Sequence, residues 1–259
     1  MEIHFNKYQG VGNDFIMIDN RSNLFPKNNI KLINKLCNRR FGIGADGLIL
    51  LESSVKNDFT MRYFNADGNE ASMCGNGGRC IVAFAKKLSI IDKETIFEAV
   101  DGSHNASIKN GKVSLQMIDI DTVEEFENYS FLNTGSPHHV CFNDNITSLN
   151  VKKLGAKIRY GTPYFEEGTN VNFVEQISDN SFKIRTYERG VEDETLACGT
   201  GVTAVAIAAN KSNKTTANNI NIEVLGGHLE VSFQREKNSY TNVFLKGPAQ
   251  FVFEGNITI

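Results

Sequence analysis

Hydrophobic and polar residues alternate along much of the chain in short runs, the period-two pattern of half-buried strands. Residues 2–8 and 59–64 alternate, 15–19 and 47–51 are mainly apolar runs, and 112–118, 182–187, 220–225, 228–233 and 242–246 are further strand candidates. Polar turn signals, Lys109-Asn110-Gly111 and Gly226-Gly227, separate neighbours and point to antiparallel hairpins. Three segments break the pattern. Residues 78–88 and 201–210 are rich in alanine and aliphatic side chains and suit short helices, as does 30–38. Segment 201–210 is apolar on nearly every side, so it reads as a buried helix rather than an amphipathic surface one.

The first two of these helical segments share an introduction. Cys74-Gly75-Asn76-Gly77 precedes one and Cys198-Gly199-Thr200-Gly201 precedes the other, 124 residues later. Each follows a strand and a polar loop, with Asn65 nine residues before Cys74 and Arg189 nine before Cys198. The simplest architecture is α+β: two similar domains, each a mostly antiparallel sheet around a buried helix, with the active site in the cleft between them. The acidic, loop-like stretch 118–127 suggests the boundary, giving an N-terminal half over 1–120 and a C-terminal half over 121–248. The last strand, about 249–259, is expected to rejoin the first half.

Composition narrows the function. A net charge of -3 over 259 residues supplies no electrostatic reason to seek nucleic acid or an anionic membrane. No run approaches the roughly 18 to 20 apolar residues of a membrane helix. Residues 1–9 lack the apolar core of a signal peptide, so a cytoplasmic location is expected. Five scattered cysteines, an odd number, do not form a disulfide framework, and no CxxC or zinc-finger spacing occurs. Cys37, Cys80 and Cys141 read as small buried hydrophobes. The acidic run Glu192-Asp193-Glu194 reads as a solvated loop.

The paired Cys-Gly-x-Gly entrances carry the candidate chemistry. The first turn of a helix leaves N–H groups unpaired at the positive end of its dipole, and glycine lets an anion approach them. A carboxylate can be gripped by Gly75 and Asn76 together with Gly199 and Thr200. The same field favours the thiolate of an adjacent cysteine. Two such cysteines acting on one carbon make a two-base epimerase. One thiolate removes the α-proton of an amino acid, and the other thiol returns a proton to the opposite face. The helix entrances stabilise the developing negative charge, so no cofactor is formally required.

Phe64-Asn65-Ala66-Asp67-Gly68 through Cys74-Gly75-Asn76-Gly77-Gly78-Arg79-Cys80, with Tyr187-Glu188-Arg189-Gly190 through Cys198-Gly199-Thr200-Gly201, resembles the diaminopimelate epimerase family. Gly10-Val11-Gly12-Asn13-Asp14-Phe15, Gly42-Ile43-Gly44-Ala45-Asp46-Gly47, Pro137-His138 and Gly168-Thr169-Asn170-Val171-Asn172-Phe173 extend the likeness over nearly the whole chain. The resemblance implies interconversion of LL- and meso-2,6-diaminopimelate without pyridoxal phosphate or metal, serving lysine and peptidoglycan precursor synthesis, and a homodimer. It implies that Cys74 and Cys198 are the acid/base pair and that Gly75, Asn76, Gly199 and Thr200 hold the reacting carboxylate. Asn13, Asn65, Asn172 and Arg189 would contact substrate, with Arg189 the bidentate partner of the distal carboxylate. Glu188 would bind the α-amino group, and His138 would support the cysteine environment.

Read without that resemblance, Asn13 and Asn65 are turn residues, Arg189 is equally a surface charge, and nothing chooses between His138 and His139. Two positions depart from the family pattern. Gly47 stands where some members carry a substrate-contacting glutamine, and Ser136 stands where many carry asparagine. Ser136 keeps hydrogen-bonding capacity with shorter reach. Proline racemase and hydroxyproline epimerase also use two cysteines, but they typically place histidine where Asn76 stands. The phenazine-biosynthesis-like isomerases usually replace the first cysteine with a carboxylate. A non-catalytic binding protein of the same fold is the remaining alternative.

Overall fold

The computed structural model describes residues 1–259. The chain forms two compact units, Met1–Leu115 with Gly247–Ile259, and Gln116–Lys246. The first contains β1 (Glu2–Gly10), β2 (Asn13–Asp19), α1 (Ile30–Cys37), β3 (Gly47–Glu52), β4 (Phe59–Asn65), β5 (Glu70–Ala71), α2 (Gly75–Lys87), β6 (Glu94–Ala99), β7 (Gly102–Lys109) and β8 (Lys112–Gln116). The second contains β9 (Glu124–Glu125), β10 (Ser130–Asn133), β11 (Pro137–Phe142), α3 (Val151–Arg159), β12 (Asn170–Ser178), β13 (Ser181–Glu188), β14 (Asp193–Thr195), α4 (Gly199–Lys211), β15 (Asn219–Val224), β16 (Gly227–Glu236) and β17 (Ser239–Pro248). The last strand, β18 (Gln250–Thr258), pairs antiparallel with β1.

The two units repeat one topology. In the first, β1–β2 is antiparallel, β2–β3 parallel, β3–β4 antiparallel, β4–β6 parallel, and β6–β7–β8 antiparallel. In the second, β10–β11 is antiparallel, β11–β12 parallel, β12–β13 antiparallel, β13–β15 parallel, and β15–β16–β17 antiparallel. A short strand folds back on the fourth strand of each set, β5 on β4 and β14 on β13. One helix crosses between the second and third strands, and a second follows the short return strand. The repeated α+β architecture expected from the duplicated motif is present, and it extends far beyond the motif.

Two helices per unit explain why the central strands read as apolar runs rather than alternations. In the first unit Ile16, Ile18, Leu48 and Leu50 pack with Ile33 and Leu36 of α1. The opposite face presents Phe15, Ile49 and Met61 to Gly77 of α2. A strand covered on both faces has no position for a solvated side chain. Gly77 allows the close approach, since a Cβ there would lie 2.9 Å from Ile49 Cδ1. In the second unit Val171 and Phe173 of β12 pack in the cluster beneath α3. α4 is buried along nearly its whole length, as its uniform alanine, valine and isoleucine content predicts.

Two corrections concern the helices. The buried helices begin at Gly75 and Gly199, not at residues 78 and 201, so each cysteine is the N-cap residue itself. Glycine's poor helix propensity disguised first turns that burial stabilises. α3 lies outside the helices that the sequence pattern predicts, although Val151, Leu154, Gly155 and Ile158 share one helical face. Its lysines and internal glycine hid that pattern. No helix is long and apolar enough to cross a membrane.

Gly155 has a packing role that can be measured. A Cβ at this position would sit 2.3 Å from Tyr187 Cβ. Gly155→Ala should therefore destabilise the protein by about 1–3 kcal/mol, overriding the roughly 1 kcal/mol that alanine's helix propensity contributes. Urea unfolding of the two proteins checks this, and a raised midpoint for the variant would refute the packing argument.

Candidate active site

Hairpin turns bring the first polar side chains into place. In the β1–β2 turn, Val11 and Gly12 have φ of 51° and 89°, and Asn13 follows directly. A β-branched residue in the left-handed region is strained, and the buried Val11 side chain holds it there. The β10–β11 turn pivots on Gly135, with φ of 104°, and leads into Ser136 and His138. Asn65 and Glu188 end the fourth strands, β4 and β13.

Each of these turns sits in a unit whose buried helix starts on a cysteine. Cys74 (φ −103°) and Cys198 (φ −120°) are extended N-caps, and neither side chain makes a capping hydrogen bond. The crossover helices behave differently. Asn29 and Asn150 cap α1 and α3 by accepting from Leu32 N and Lys153 N, at 3.1 and 3.0 Å. The cysteine helices thus have entrances whose first N–H groups are not capped by the residue placed there.

In the first unit Cys74, Asn76 and Asn13 form one cluster. Asn13 Oδ1 accepts from Cys74 Sγ at 3.7 Å and from Asn76 Nδ2 at 3.2 Å. Asn13 Nδ2 donates to Asp46 at 2.7 Å, which fixes the orientation of its amide. Asp46 in turn accepts from Arg39, which also holds Asp14. Burial pulls the Asp14 carboxyl upward, but hydrogen bonds from Arg39 and Lys7 prevail and hold it well below the usual carboxylate range. Asn65 is exposed at the end of β4, and its backbone closes the turn by pairing with Asn69 and Gly68. Gly47 is packed against Tyr63, with no room for a Cβ (2.6 Å to Tyr63 Cε2), which gives its departure from the family pattern a steric reason.

In the second unit a chain of neutral groups ends at Cys198. Asn172 Oδ1 accepts from Thr186 Oγ1 at 3.0 Å, while its Nδ2 donates to His139 O at 3.2 Å and meets His138 Nδ1 at 3.1 Å. His138 Nδ1 is therefore an acceptor, and the ring proton lies on Nε2. Nε2 faces Thr200 Oγ1 at 2.9 Å and Ser136 Oγ at 3.0 Å. Thr200, having accepted from the histidine, has its hydroxyl proton left for Cys198 Sγ at 3.4 Å. Burial pushes His138 down to about 3, with Arg189 acting in the same direction, so the ring is neutral at ordinary pH. His138 and Asn172 are fully buried, so they act on this chain rather than facing solvent.

Glu188 ends β13 and Arg189 opens the turn that follows. The Arg189 backbone N–H donates to Asn170 Oδ1 at 2.9 Å, and its exposed guanidinium donates to Glu167 O at 2.8 Å. The acidic run beyond them corrects the sequence reading, because each carboxylate is ion-paired. Glu192 pairs with Arg159, Asp193 with Lys152 and Glu194 with Arg185. Glu192 also accepts from Gly190 N at 3.0 Å and from Tyr187 Oη at 2.9 Å, so it pins the turn that presents Glu188 and Arg189. Nothing in the spacing of the run signals its partners, which lie on α3 and β13. The roles of Thr186, Asn170 and Asp46 likewise have no signal in the sequence, and only their neighbours in space reveal them.

Burial pushes Cys37, Cys80 and Cys141 up to about 12, which makes them inert hydrophobes near neutral pH. No group of three or more His, Cys, Asp or Glu side chains is placed to hold a metal ion.

The family profile of diaminopimelate epimerase matches residues 5–122 and 130–252. The chain belongs to the diaminopimelate epimerase family. The diaminopimelate epimerase of Flavobacterium psychrophilum is 63% identical over 252 residues, covering 97% of this chain and 98% of the relative. That of a Hydrogenobaculum species is 42% identical over 274 residues, covering 97% of each. Among solved structures, a PhzF-family phenazine biosynthesis protein from Bacillus anthracis superposes with a TM-score of 0.79 at 13% identity, over the whole of both chains. A hydroxyproline epimerase from Agrobacterium vitis superposes with a TM-score of 0.68 at 12% identity, over 99% of this chain and 92% of that one. At such identities these two structures establish the fold alone. The family assignment agrees with Asn76 in place of histidine and with cysteine at position 74.

The buried histidines make a pH prediction. His138 and His139 are held at about 3 and about 4, below the unfolded value of 6.5. Above about pH 6.5 they are neutral in both states and contribute no slope. As pH falls below that value, the unfolded chain takes up protons the folded one refuses, and stability is lost. The slope from each approaches about 1.4 kcal/mol per pH unit. Urea unfolding at pH 7 and pH 5 should show the loss, and His139→Gln should reduce it. An equal loss in that variant would refute the assignment.

Proposed function

We propose that this chain interconverts LL- and meso-2,6-diaminopimelate, with Cys74 and Cys198 as the acid/base pair, in lysine and peptidoglycan precursor synthesis. The observation that carries this reading is the pairing of two cysteines, each the N-cap of a glycine-led buried helix and each without a side-chain capping bond. Membership of the diaminopimelate epimerase family supplies the substrate.

One thiolate takes the α-proton and the other thiol delivers a proton to the opposite face of the same carbon. Gly75 and Asn76 with Gly199 and Thr200 direct N–H groups and dipoles at the α-carboxylate, where charge builds in the transition state. The Thr200 hydroxyl, oriented by neutral His138, stabilises charge on Cys198 as that residue loses its proton. Ser136, which accepts from Asn170 at 3.0 Å and contacts His138, acts through the same chain in place of the more usual asparagine. At Cys74 the contact runs the other way, since Asn13 Oδ1 accepts from the thiol and from Asn76. Asn13, Asn65, Asn172, Glu188 and Arg189 recognise the remainder of the substrate. Glu188 takes the α-amino group and the Arg189 guanidinium takes the distal carboxylate. For Asn172, which is wholly buried, this requires the site to rearrange around the ligand.

This chemistry needs no cofactor, since the acid and the base are both side chains. We place the enzyme in the cytoplasm, where thiols stay reduced. A homodimer fits the exposure of Phe251, Val252 and Phe253 in sequence along β18.

Reduced protein incubated with LL-diaminopimelate in D₂O, with no added cofactor, should yield meso product carrying α-deuterium. Cys74→Ala and Cys198→Ala should each lower kcat by about a hundred- to ten-thousand-fold. No turnover by the parent protein, or undiminished turnover by either variant, would overturn the mechanism. Turnover of proline instead would replace the substrate assignment.

A further inference from the structure

Arg79 is the bulkiest of the fully buried side chains, with no exposed surface. It lies one turn into α2, beneath the Cys74 entrance. Its guanidinium donates to Gly75 O at 3.1 Å, to Asn76 Oδ1 at 2.9 Å and to Pro248 O at 3.4 Å. All three partners are neutral oxygens. Gly10 leaves room for the group, since a Cβ there would lie 3.2 Å from Nη2. A buried cation without an anionic partner is costly, and a fold that keeps one normally has a counter-charge in view.

Most charged groups on the elements packed against α2 are matched elsewhere, and Glu2 of β1 and Lys109 of β7 are exposed to solvent. Lys7 of β1 pairs with Asp14 of β2, Glu52 of β3 with Lys27 and with Arg62 of β4, His104 of β7 with Asp101, and Glu254 of β18 with Lys87. Asp46, which reaches Asn13, is held by Arg39. Tyr8 is kept neutral by burial, as is Cys80. Burial opposes the charge on Arg79, and the groups acting to favour it are Cys80 and Cys74. With Cys80 unable to ionise near neutral pH, Cys74 is the one that remains.

We propose that Arg79 is the built-in counter-charge of the Cys74 thiolate, a positioning residue that supports ionisation of that sulfur from behind the helix entrance. The guanidinium also orients Asn76, whose Nδ2 donates to Asn13 Oδ1, the acceptor of the Cys74 thiol. When Cys74 gives up its proton, the charge that appears on sulfur compensates one already stored in the core. The proposal rests on the reading of Cys74 as an acid/base thiol, but its test requires no turnover.

Alkylation by iodoacetamide, followed at each cysteine by peptide mass spectrometry across pH, reads the thiolate directly. Arg79→Gln and Arg79→Met should move the Cys74 profile upward by about one pH unit or more, about tenfold slower labelling on the acid side. Cys198, the internal reference, should keep its profile, and Arg79→Lys should restore most of the shift. A folded Arg79→Gln protein with the parent profile overturns the proposal, and so does an Arg79→Lys profile displaced as far as that of Arg79→Gln. Should the neutral variants not fold, Cys74→Ser carries the test, because the parent alone then gains a buried anion with rising pH. Its stability deficit against the parent should widen from about pH 6 to about pH 9, and a flat difference overturns the proposal. If the protein fails to turn over diaminopimelate while the Cys74 profile still follows the charge at position 79, only the functional reading falls.

Discussion

A helix that begins inside a sheet-lined core exposes uncapped N–H groups and a positive dipole end to whatever is placed there. α2 and α4 both begin this way, and much of the rest follows. A sheet can approach a first turn closely only if that turn lacks side chains. Gly77 lies against Ile49 and Met61, and Gly201 lies against Asn172 and His138. The chain enters each helix through an extended residue, and in both units that residue is cysteine. The crossover helices show the alternative, in which Asn29 and Asn150 satisfy the same kind of terminus with their own side chains. Asparagine satisfies its terminus with its own side chain, whereas neither cysteine side chain makes a capping bond.

Behind the two entrances the polar surroundings have diverged. Around Cys74, Asn13 accepts from the thiol and from Asn76, Asn76 is held by the buried guanidinium of Arg79, and the carboxylates of Asp14 and Asp46 are tied to Arg39. Cys198 stands at the end of a neutral chain running from Thr186 through Asn172, His138 and Thr200. A fixed positive charge favours a neighbouring thiolate through its field, and an oriented hydroxyl favours one by donating to it. Two equivalent backbones can therefore serve one chemical role by different electrostatic means. This is a natural outcome when a duplicated unit keeps its topology and exchanges its side chains.

The ion pairs around β14 show how the turn after β13 is held. Glu192 joins Arg159, Tyr187 and Gly190, and Arg185 fixes Glu194 while reaching the carbonyls of Ile146 and Leu149. The turn carrying Glu188 and Arg189 is thereby tied to α3 and to the loop before it. Packing of Gly155 against Tyr187 sets the distance at which these bonds form. The stiffness belongs to the turn, while the Arg189 guanidinium stays exposed.

Much of this was determined by sequence alone. Strand periodicity, the buried character of α4 and the repeated cysteine entrances are local patterns of residue type, and local geometry follows from them. The family was legible because its motifs are short, ordered and spread along the chain. The tertiary structure decided what depends on residues far apart in sequence. It placed the helix starts on the cysteines because burial outweighs glycine's reluctance to be helical. It formed α3 because Tyr187 and β12 provide the surface its weak apolar face needs. It turned the acidic run into a set of ion pairs, and it made a motif arginine into a buried charge held by neutral oxygens. A charged residue has no pattern of its own, and its meaning is set by which partners folding brings within reach of its field.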